Sequence, residues 1–252
     1  MERSYWEKIA PDYNEEIFDV LQQDKKGLIK KELRKIADPG ASIIDIGCAI
    51  GKWLPVLSPL FKKVLAIDIS AKNVAIAKKH FPHLPNIEYD RVDMSSPNYS
   101  LEGFDAALCI NAVLSDSLIK RQRFFHNINK SLKATGHLVM VVPSLESWLL
   151  THIIQQQWKI DRKLFDRKLN SSTAARRYKD LLQGNAEIDN VATKHYLGEE
   201  LDLLLRREGF EILTRKKISY DWHTEFVAPP AWLQQPQPWD WMVVAKKLSD
   251  KS

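Results

Sequence analysis

The segment Ser42-Ile-Ile-Asp-Ile-Gly-Cys-Ala-Ile-Gly51 constrains the fold more than any other, because it reads as a buried strand running straight into a glycine-marked turn. Ile43, Ile44 and Ile46 suit a strand covered on both faces, as in a parallel sheet flanked by helices. Gly47 and Gly51 let the backbone turn tightly and approach a ligand closely. Lys52-Trp-Leu-Pro-Val-Leu57 then opens a helix, with Pro55 tolerated in its first turn. Such a strand, turn and helix together form a common grip on a nucleotide-like ligand. The glycine register argues against two versions of it. A dinucleotide fingerprint needs glycines at 47, 49 and 52, where the chain has Gly47, Ala49 and Lys52. A phosphate loop needs four residues between its glycines and then Lys-Ser/Thr, but three separate Gly47 from Gly51 and Trp53 follows Lys52.

Further strands follow at regular intervals. Val64-Leu-Ala-Ile67 ends in Asp68, at roughly the 20-residue interval where an acidic side chain can accept ribose hydroxyls. Asp68-Ile69-Ser70 also begins the next helix, with Ser70 as N-cap of Ala71–His80, so Asp68 has a second reading as helix-start chemistry. A third strand, Asn86–Asp90, leads to Val92-Asp93-Met94 in a region crowded with turn residues, where Asp93 taken alone reads equally as a solvated loop carboxylate. Phe104–Ile110 is a fourth strand giving way to Asn111-Ala112-Val113. Ser117–Leu132 is a helix, Thr135-Gly136 a stop, and Leu138–Val142 a fifth buried strand.

Asp45-x-Gly47-x-Ala49-x-Gly51, with Asp68 behind it, resembles the D-x-G-x-G-x-G motif of class I S-adenosylmethionine-dependent methyltransferases, alanine standing in for the middle glycine. The resemblance implies an α/β, Rossmann-like, seven-stranded, mostly parallel sheet with helices on both faces. It extends to Tyr196–Leu201 through Glu208–Ile212 as the last helix and sixth strand, and to Trp241–Ala245 as the seventh. The implied cofactor is S-adenosyl-L-methionine. Asp68 and Ile69 would hold its ribose, Asp93 and Met94 its adenine edge, and the Gly47-Cys48-Ala49 to Gly51 backbone its methionine portion. Asp45 would orient the turn or the methionine amine, and Asn111 and Ala112 would line the cofactor and reaction centre. Family members that act on nucleobase amines or glutamine amides often carry Asn/Asp-Pro-Pro-aromatic here, and Asn111-Ala-Val-Leu114 lacks both prolines and the ring. Tyr5–Tyr13 looks like an N-terminal helix that closes over the cofactor with Tyr13, although Trp6, Ile9 and Tyr13 are also spaced to pack a helix on the core.

A chain of 252 residues with 44% hydrophobic content can bury one large core. We read residues 1–252 as one domain, with N-terminal helices over 1–37, a helical insertion over 144–194 and a Pro/Trp-rich loop over 221–240. The first 20 residues carry charges throughout, and no run approaches the roughly 18 apolar residues of a membrane span, so the expectation is a soluble, cytoplasmic protein. Cys48 and Cys109 support neither a disulfide framework nor a metal site. The net charge of +5 is concentrated in two regions. Lys25, Lys26, Lys30, Lys31, Arg34 and Lys35 share a helix with a Leu28, Ile29, Leu33, Ile36 stripe and read as its solvated face. Arg162–Lys179 interleaves basic residues with Phe165 and Tyr178, but Asp161, Asp166 and Asp180 dilute its field.

The insertion departs most from a minimal fold of this kind. Leu145, Trp148, Leu149 and His152 recur at helical spacing, followed by Ile153, Trp158 and Ile160, and Asn170–Thr173 reads as a break between helices. Ligands of open α/β sheets bind beyond the carboxyl ends of the strands, so this segment is placed to roof an acceptor pocket. His195, just after it, is the candidate catalytic base, alongside a packing or capping reading. His152, Tyr178, Tyr196 and Trp222 are candidate substrate contacts. The tryptophans of the 221–241 loop suit either an aromatic acceptor or a packed surface cover. The reading is methyl transfer to a small-molecule acceptor, with no metal or membrane and with nucleic acid disfavoured. Its alternatives are a non-catalytic S-adenosylmethionine-binding protein with a protein partner, and an RNA methyltransferase.

Overall fold

A computed structural model describes residues 2–161, 178–188 and 191–249. Nine strands form in chain order: β1 (Asp38–Ile46), β2 (Phe61–Asp68), β3 (Ile87–Arg91), β4 (Phe104–Ile110), β5 (Leu132–Pro143), β6 (Asn185–Ile188), β7 (Val191–Lys194), β8 (Phe210–Ser219) and β9 (Trp239–Lys247). Seven of them make one sheet in the order β3-β2-β1-β4-β5-β9-β8. All neighbours are parallel except β9, which runs antiparallel to both β5 and β8.

The period of two along each strand sorts the side chains into two layers. Ile43, Val64, Ala66, Ala106, Leu108, Val139, Val141 and Val244 face one cluster, where Ile29 and Leu33 of helix Leu28–Lys35 pack. Ile44, Ile46, Ile67, Ala107, Cys109, Leu138, Met140 and Val243 face the other. Phe125 and Ile128 of helix Leu118–Ser131 and Leu201 and Leu205 of helix Gly198–Arg207 cover that side. Both faces are thus buried by helices, which is why the strands read as continuous apolar runs. The expected seven-stranded sheet is present, and strand order reverses between β1 and β4, so the crevice that binds ligands in such folds opens at their carboxyl ends.

Three local expectations are corrected. Pro11 breaks the N-terminal segment into Arg3–Ile9, a tight 3-10 turn at Ala10–Asp12 and Tyr13–Glu16, so Trp6 and Tyr13 do not share one continuous helix. The insertion is not wholly helical: helix Leu145–Asp161 is followed by the hairpin β6-β7, whose four-residue strands are too short to register as a pattern in sequence. Trp239, Asp240 and Trp241 belong to β9 rather than to the preceding loop. The break placed at Asn170–Thr173, and the basic region Arg162–Lys179 apart from residues 178 and 179, lie outside the described residues. Lys25 and Lys26 lie in the turn before helix Leu28–Lys35 rather than on it, a correction to the single helix expected. On the helix Lys31, Arg34 and Lys35 are exposed, as a solvated face requires, whereas Lys30 is half-buried. Among the described residues no helix is long and apolar enough to cross a membrane.

The insertion is tied to the frame by Glu146, which accepts the Gly198 N–H at 2.8 Å and the Trp241 indole N–H at 2.9 Å. The hairpin is held by buried Lys194, which donates to Glu200 at 2.6 Å and to the Gln183 carbonyl at 3.1 Å. Its backbone N–H also reaches the Leu114 carbonyl just after β4, at 3.1 Å. Leu201 is fully buried, so Leu201→Ala leaves a cavity and is expected to destabilise the fold by about 2–5 kcal/mol. Urea unfolding with an unchanged m value checks this, and a loss below about 1 kcal/mol would mean the last helix is not anchored at this residue.

Candidate functional site

The turn leaving β1 departs from extended geometry at alternate residues: Gly47, Ala49 and Gly51 have φ of 74°, 48° and 87°. Gly47 is required on steric grounds, since a Cβ there would stand 2.5 Å from the Ala112 methyl. Gly51 is required for a different reason. Its added Cβ would meet Leu54 and the Phe81 ring, so it packs the turn against helix and loop and lines neither of the cavities described below. Ala49 holds a conformation that costs an L-residue about 1–2 kcal/mol. That strain is offset by its N–H, which donates to Asp68 Oδ2 at 3.0 Å, while the Gly47 and Cys48 N–H groups both donate to the Ile67 carbonyl at 2.9 Å.

Asp68 therefore carries the helix-start chemistry read from the sequence and also ties down the turn. Its Oδ1 accepts the Ser70 N–H at 2.8 Å and lies 3.3 Å from Asn73 Nδ2, and Ser70 caps the following helix through Asn73 N. Burial pushes its carboxyl up from the usual range, opposed by the Ser70 and Ala49 N–H groups. Asp68, Ile69, Asp93, Met94, Asn111 and Ala112 line a cavity of about 260 Å³ together with Gly47 and Ala49. Asp93 reaches it with one oxygen already accepting from Ser95. Asn73, Phe124 and Arg91 also line it and were not foreseen, although Asn73 is legible as the residue three past a Ser N-cap.

A larger cavity of about 540 Å³ adjoins the first, with Trp6, Tyr13, Gly47, Ala49 and Asn111 in both walls. Tyr13, Asp45, Cys48, His152 and His195 line it, so the structure brings together those sequence candidates. Asp45 is 2% exposed, and its Oδ2 has no hydrogen-bond partner among the described residues. Burial, reinforced by the Asp68 charge, pushes its carboxyl to about 7. His195 is buried; its Nδ1 lies 3.0 Å from the Thr193 carbonyl, and burial lowers its pKa to about 4. His152 is exposed and stacks on Trp148, ring centroids 3.9 Å apart.

The other three proposed substrate contacts lie elsewhere. Tyr196 is fully buried in the core, its hydroxyl donating to the Val113 carbonyl at 2.9 Å. Trp222 packs with Phe226, Leu233 and Ile154, so the loop is a packed cover. Tyr178 is 63% exposed and lines neither cavity. Sequence reasoning also missed a buried network: Asp240 Oδ2 accepts from Asn111 Nδ2 at 3.1 Å and from the Tyr220 hydroxyl at 2.8 Å. The available signal was a single carboxylate inside the apolar run Trp239–Ala245.

Residues 43–136 match the family model described as "Methyltransferase domain". Among solved structures, the chain is similar to a SAM-dependent methyltransferase from Methanosarcina mazei, at 18% identity and TM-score 0.62 over 87% of this chain and 98% of that one. It is similar to the N-methyltransferase NodS from Bradyrhizobium japonicum in complex with S-adenosyl-L-homocysteine, at 14% identity and TM-score 0.63 over 98% of each. It is also similar to the [4+2]-cyclase SpnF, at 16% identity and TM-score 0.62 over 98% of this chain and 95% of that one. No curated protein matches the sequence. The fold is that of class I S-adenosylmethionine-dependent methyltransferases. Residues 43–136 carry the match to a methyltransferase domain, and S-adenosylmethionine is the cofactor that this fold and domain imply.

The fit of that cofactor is supported by the unpartnered Asp45 oxygen, which lines the space beside the turn and is suited to an amine. Between the ordinary aspartate value of 3.8 and about 7, the folded protein keeps a proton on Asp45 that the unfolded chain has lost, so this residue's contribution falls as pH rises through that window. Asp45→Asn removes the titration. Without cofactor the variant is expected to melt above the natural protein near pH 8, the gap closing toward about pH 4, while S-adenosylmethionine raises its melting temperature far less. Melting curves with and without cofactor check this, and a pH-independent gap would dismiss the buried carboxylate as the cause.

Proposed function

We propose that the enzyme transfers the methyl group of S-adenosylmethionine to a small-molecule acceptor held in the larger cavity. The observation that carries this is the cavity itself. Its volume is in the range of small-ligand sites, and its walls come from the N-terminal helices, the insertion and the 221–238 loop rather than from an open basic trough. An RNA acceptor would call for a basic surface, whereas five carboxylates and one ammonium line this space, namely Asp19, Asp45, Glu187, Glu225, Asp240 and Lys52. A cytoplasmic location belongs to the same proposal, with both cysteines free and buried.

In this reading Asp68 holds the ribose, Asp93 the adenine edge and Asp45 with the Gly47–Ala49 backbone the methionine portion. The bound sulfonium supplies an electrophilic methyl group, so the chain's own task is to align the acceptor and exclude water. His195 is suited to receive a proton from the acceptor. A carbonyl oxygen only accepts, so in the neutral ring Nδ1 carries the proton toward Thr193 and Nε2 keeps its lone pair. With a pKa of about 4, the ring is already neutral throughout the physiological range.

His195→Ala is expected to lower kcat by about a hundredfold and leave the S-adenosylmethionine Kd unchanged. The natural enzyme should show no loss of activity attributable to this histidine as pH falls from about 7.5 to about 5.5. Transfer of labelled methyl from S-adenosylmethionine to metabolite pools, with calorimetry for the cofactor, checks both. Unchanged turnover in the variant would exclude His195 as the base. Tight cofactor binding with transfer to no pool would favour a binding protein, and transfer to RNA alone would overturn the small-molecule reading.

A further inference from the structure

The larger cavity presents an imbalance that its cofactor-facing residues do not use up. Lys52 is the single ammonium in its lining, and Asp19 already pairs with it at 2.8 Å. Asp240 is 9% exposed and its partners are dipolar: the Asn111 amide, the Tyr220 hydroxyl and the Ser144 backbone. No ion pair to Asp240 or Glu225 forms among the described residues. Buried charges in proteins are ordinarily paired, so a carboxylate held this way is matched to a cation that arrives from outside.

A second, independent feature points the same way. The walls carry Tyr5, Trp6 and Tyr220, and aromatic ring faces attract organic cations. Three further wall rings are already engaged, Trp239 by Lys217 Nζ at 3.5 Å from its centroid, Tyr13 by Lys52 Nζ at 5.7 Å and Trp148 by His152. Trp239, 7% exposed, adjoins Asp240 in the chain and leaves its indole N–H without a partner among the described residues. Asp45, 2% exposed and unpartnered at Oδ2, faces the same space. Aromatic walls with uncompensated carboxylates select against an anionic acceptor and give a neutral one nothing to neutralise. We propose that the methyl acceptor is a small molecule carrying a basic amino group, anchored as its ammonium ion by the carboxylates of Asp240 and Glu225 within this aromatic-walled cavity.

The electrostatics agree with that geometry. Burial lifts Asp240 to about 6, with the Glu225 charge adding to the rise, and desolvation also lifts Glu225, which stands at the rim with part of its side chain in solvent. A cation between the two groups relieves their mutual repulsion and favours the charged form of each. His195 is neutral and adds no positive charge to oppose the ligand.

The inference rests on the proposed small-molecule activity, and its test separates the two. The full chain saturated with S-adenosylhomocysteine is titrated calorimetrically with three probes of matched shape: phenethylamine, phenethyl alcohol and hydrocinnamate. The amine is expected to bind at least about tenfold more tightly than the alcohol, and the carboxylate not at all. Glu225→Gln and Asp240→Asn should each weaken the amine by about tenfold or more while the alcohol is unaffected. S-adenosylhomocysteine binding serves as the folding check, and if Asp240→Asn fails it, Glu225→Gln and the probe series decide. Equal binding of amine and alcohol, preference for the carboxylate, or an unchanged amine affinity in Glu225→Gln would overturn the amine assignment. Methyl transfer to a non-basic metabolite would do the same while leaving the small-molecule activity standing. Absence of transfer to any metabolite would count against the activity itself.

Discussion

The hydrogen bond from the Ala49 N–H to the Asp68 carboxylate is the interaction on which the site depends. It joins the end of β1 to the end of β2 and holds in place a residue whose backbone would otherwise relax out of the left-handed region. The Ile67 carbonyl supplies the other half of the clamp by accepting from both Gly47 and Cys48. With the turn fixed, Gly47 approaches Ala112 after β4, and the two strand ends on either side of the reversal in strand order close one wall around a ligand. Burial works against the charged form of Asp68, and the Ser70 and Ala49 N–H groups oppose that cost while fixing the turn.

The same region carries charge that is unfavourable to the fold on its own. Asp45 and Asp240 are both buried without a cation among the described residues, and both carboxyls are pushed toward neutral pH. Replacement by apolar residues would relieve this burden, as it does for many buried ionic groups. Their burial there is intelligible if the compensating charge belongs to what binds, the methionine amine for Asp45 and the acceptor for Asp240. Local stability is in this way traded for a pocket already organised toward cations.

The parallel core was legible in the sequence because burial on both faces leaves a clear trace: Leu138 to Val142 is apolar without interruption, and Ile43, Ile44 and Ile46 are broken only by Asp45. The cofactor turn was legible because left-handed backbone demands glycine at Gly47, and the acidic strand end at Asp68 is a local feature. The hairpin β6-β7 was not, since its strands are four residues long and their pairing depends on Lys194 reaching Glu200 and Gln183. Tyr196 and Trp222 misled for a related reason. An aromatic with a polar tip looks the same in sequence whether that tip meets a substrate or, as for Tyr196, the Val113 carbonyl. The Asn111–Asp240–Tyr220 network joins residues up to 129 positions apart, and no local pattern encodes it.

That distance matters for how chemistry is distributed along the chain. The match to the methyltransferase domain spans residues 43–136 and contains the turn, Asp68, Asp93 and Asn111. Trp148, His195, Tyr220, Glu225 and Asp240 all lie beyond it, on the insertion, the last loop and the antiparallel strand β9. A fold that is also similar to that of a [4+2]-cyclase does not by itself specify a reaction, so the distinction has to come from this second set. Asn111 is where the two sets meet, since it lines both cavities and donates to Asp240 from a left-handed backbone at the end of β4. The strain stored there aims one amide across the crevice, so that the geometry of the first cavity is coupled to the position of the carboxylate in the second.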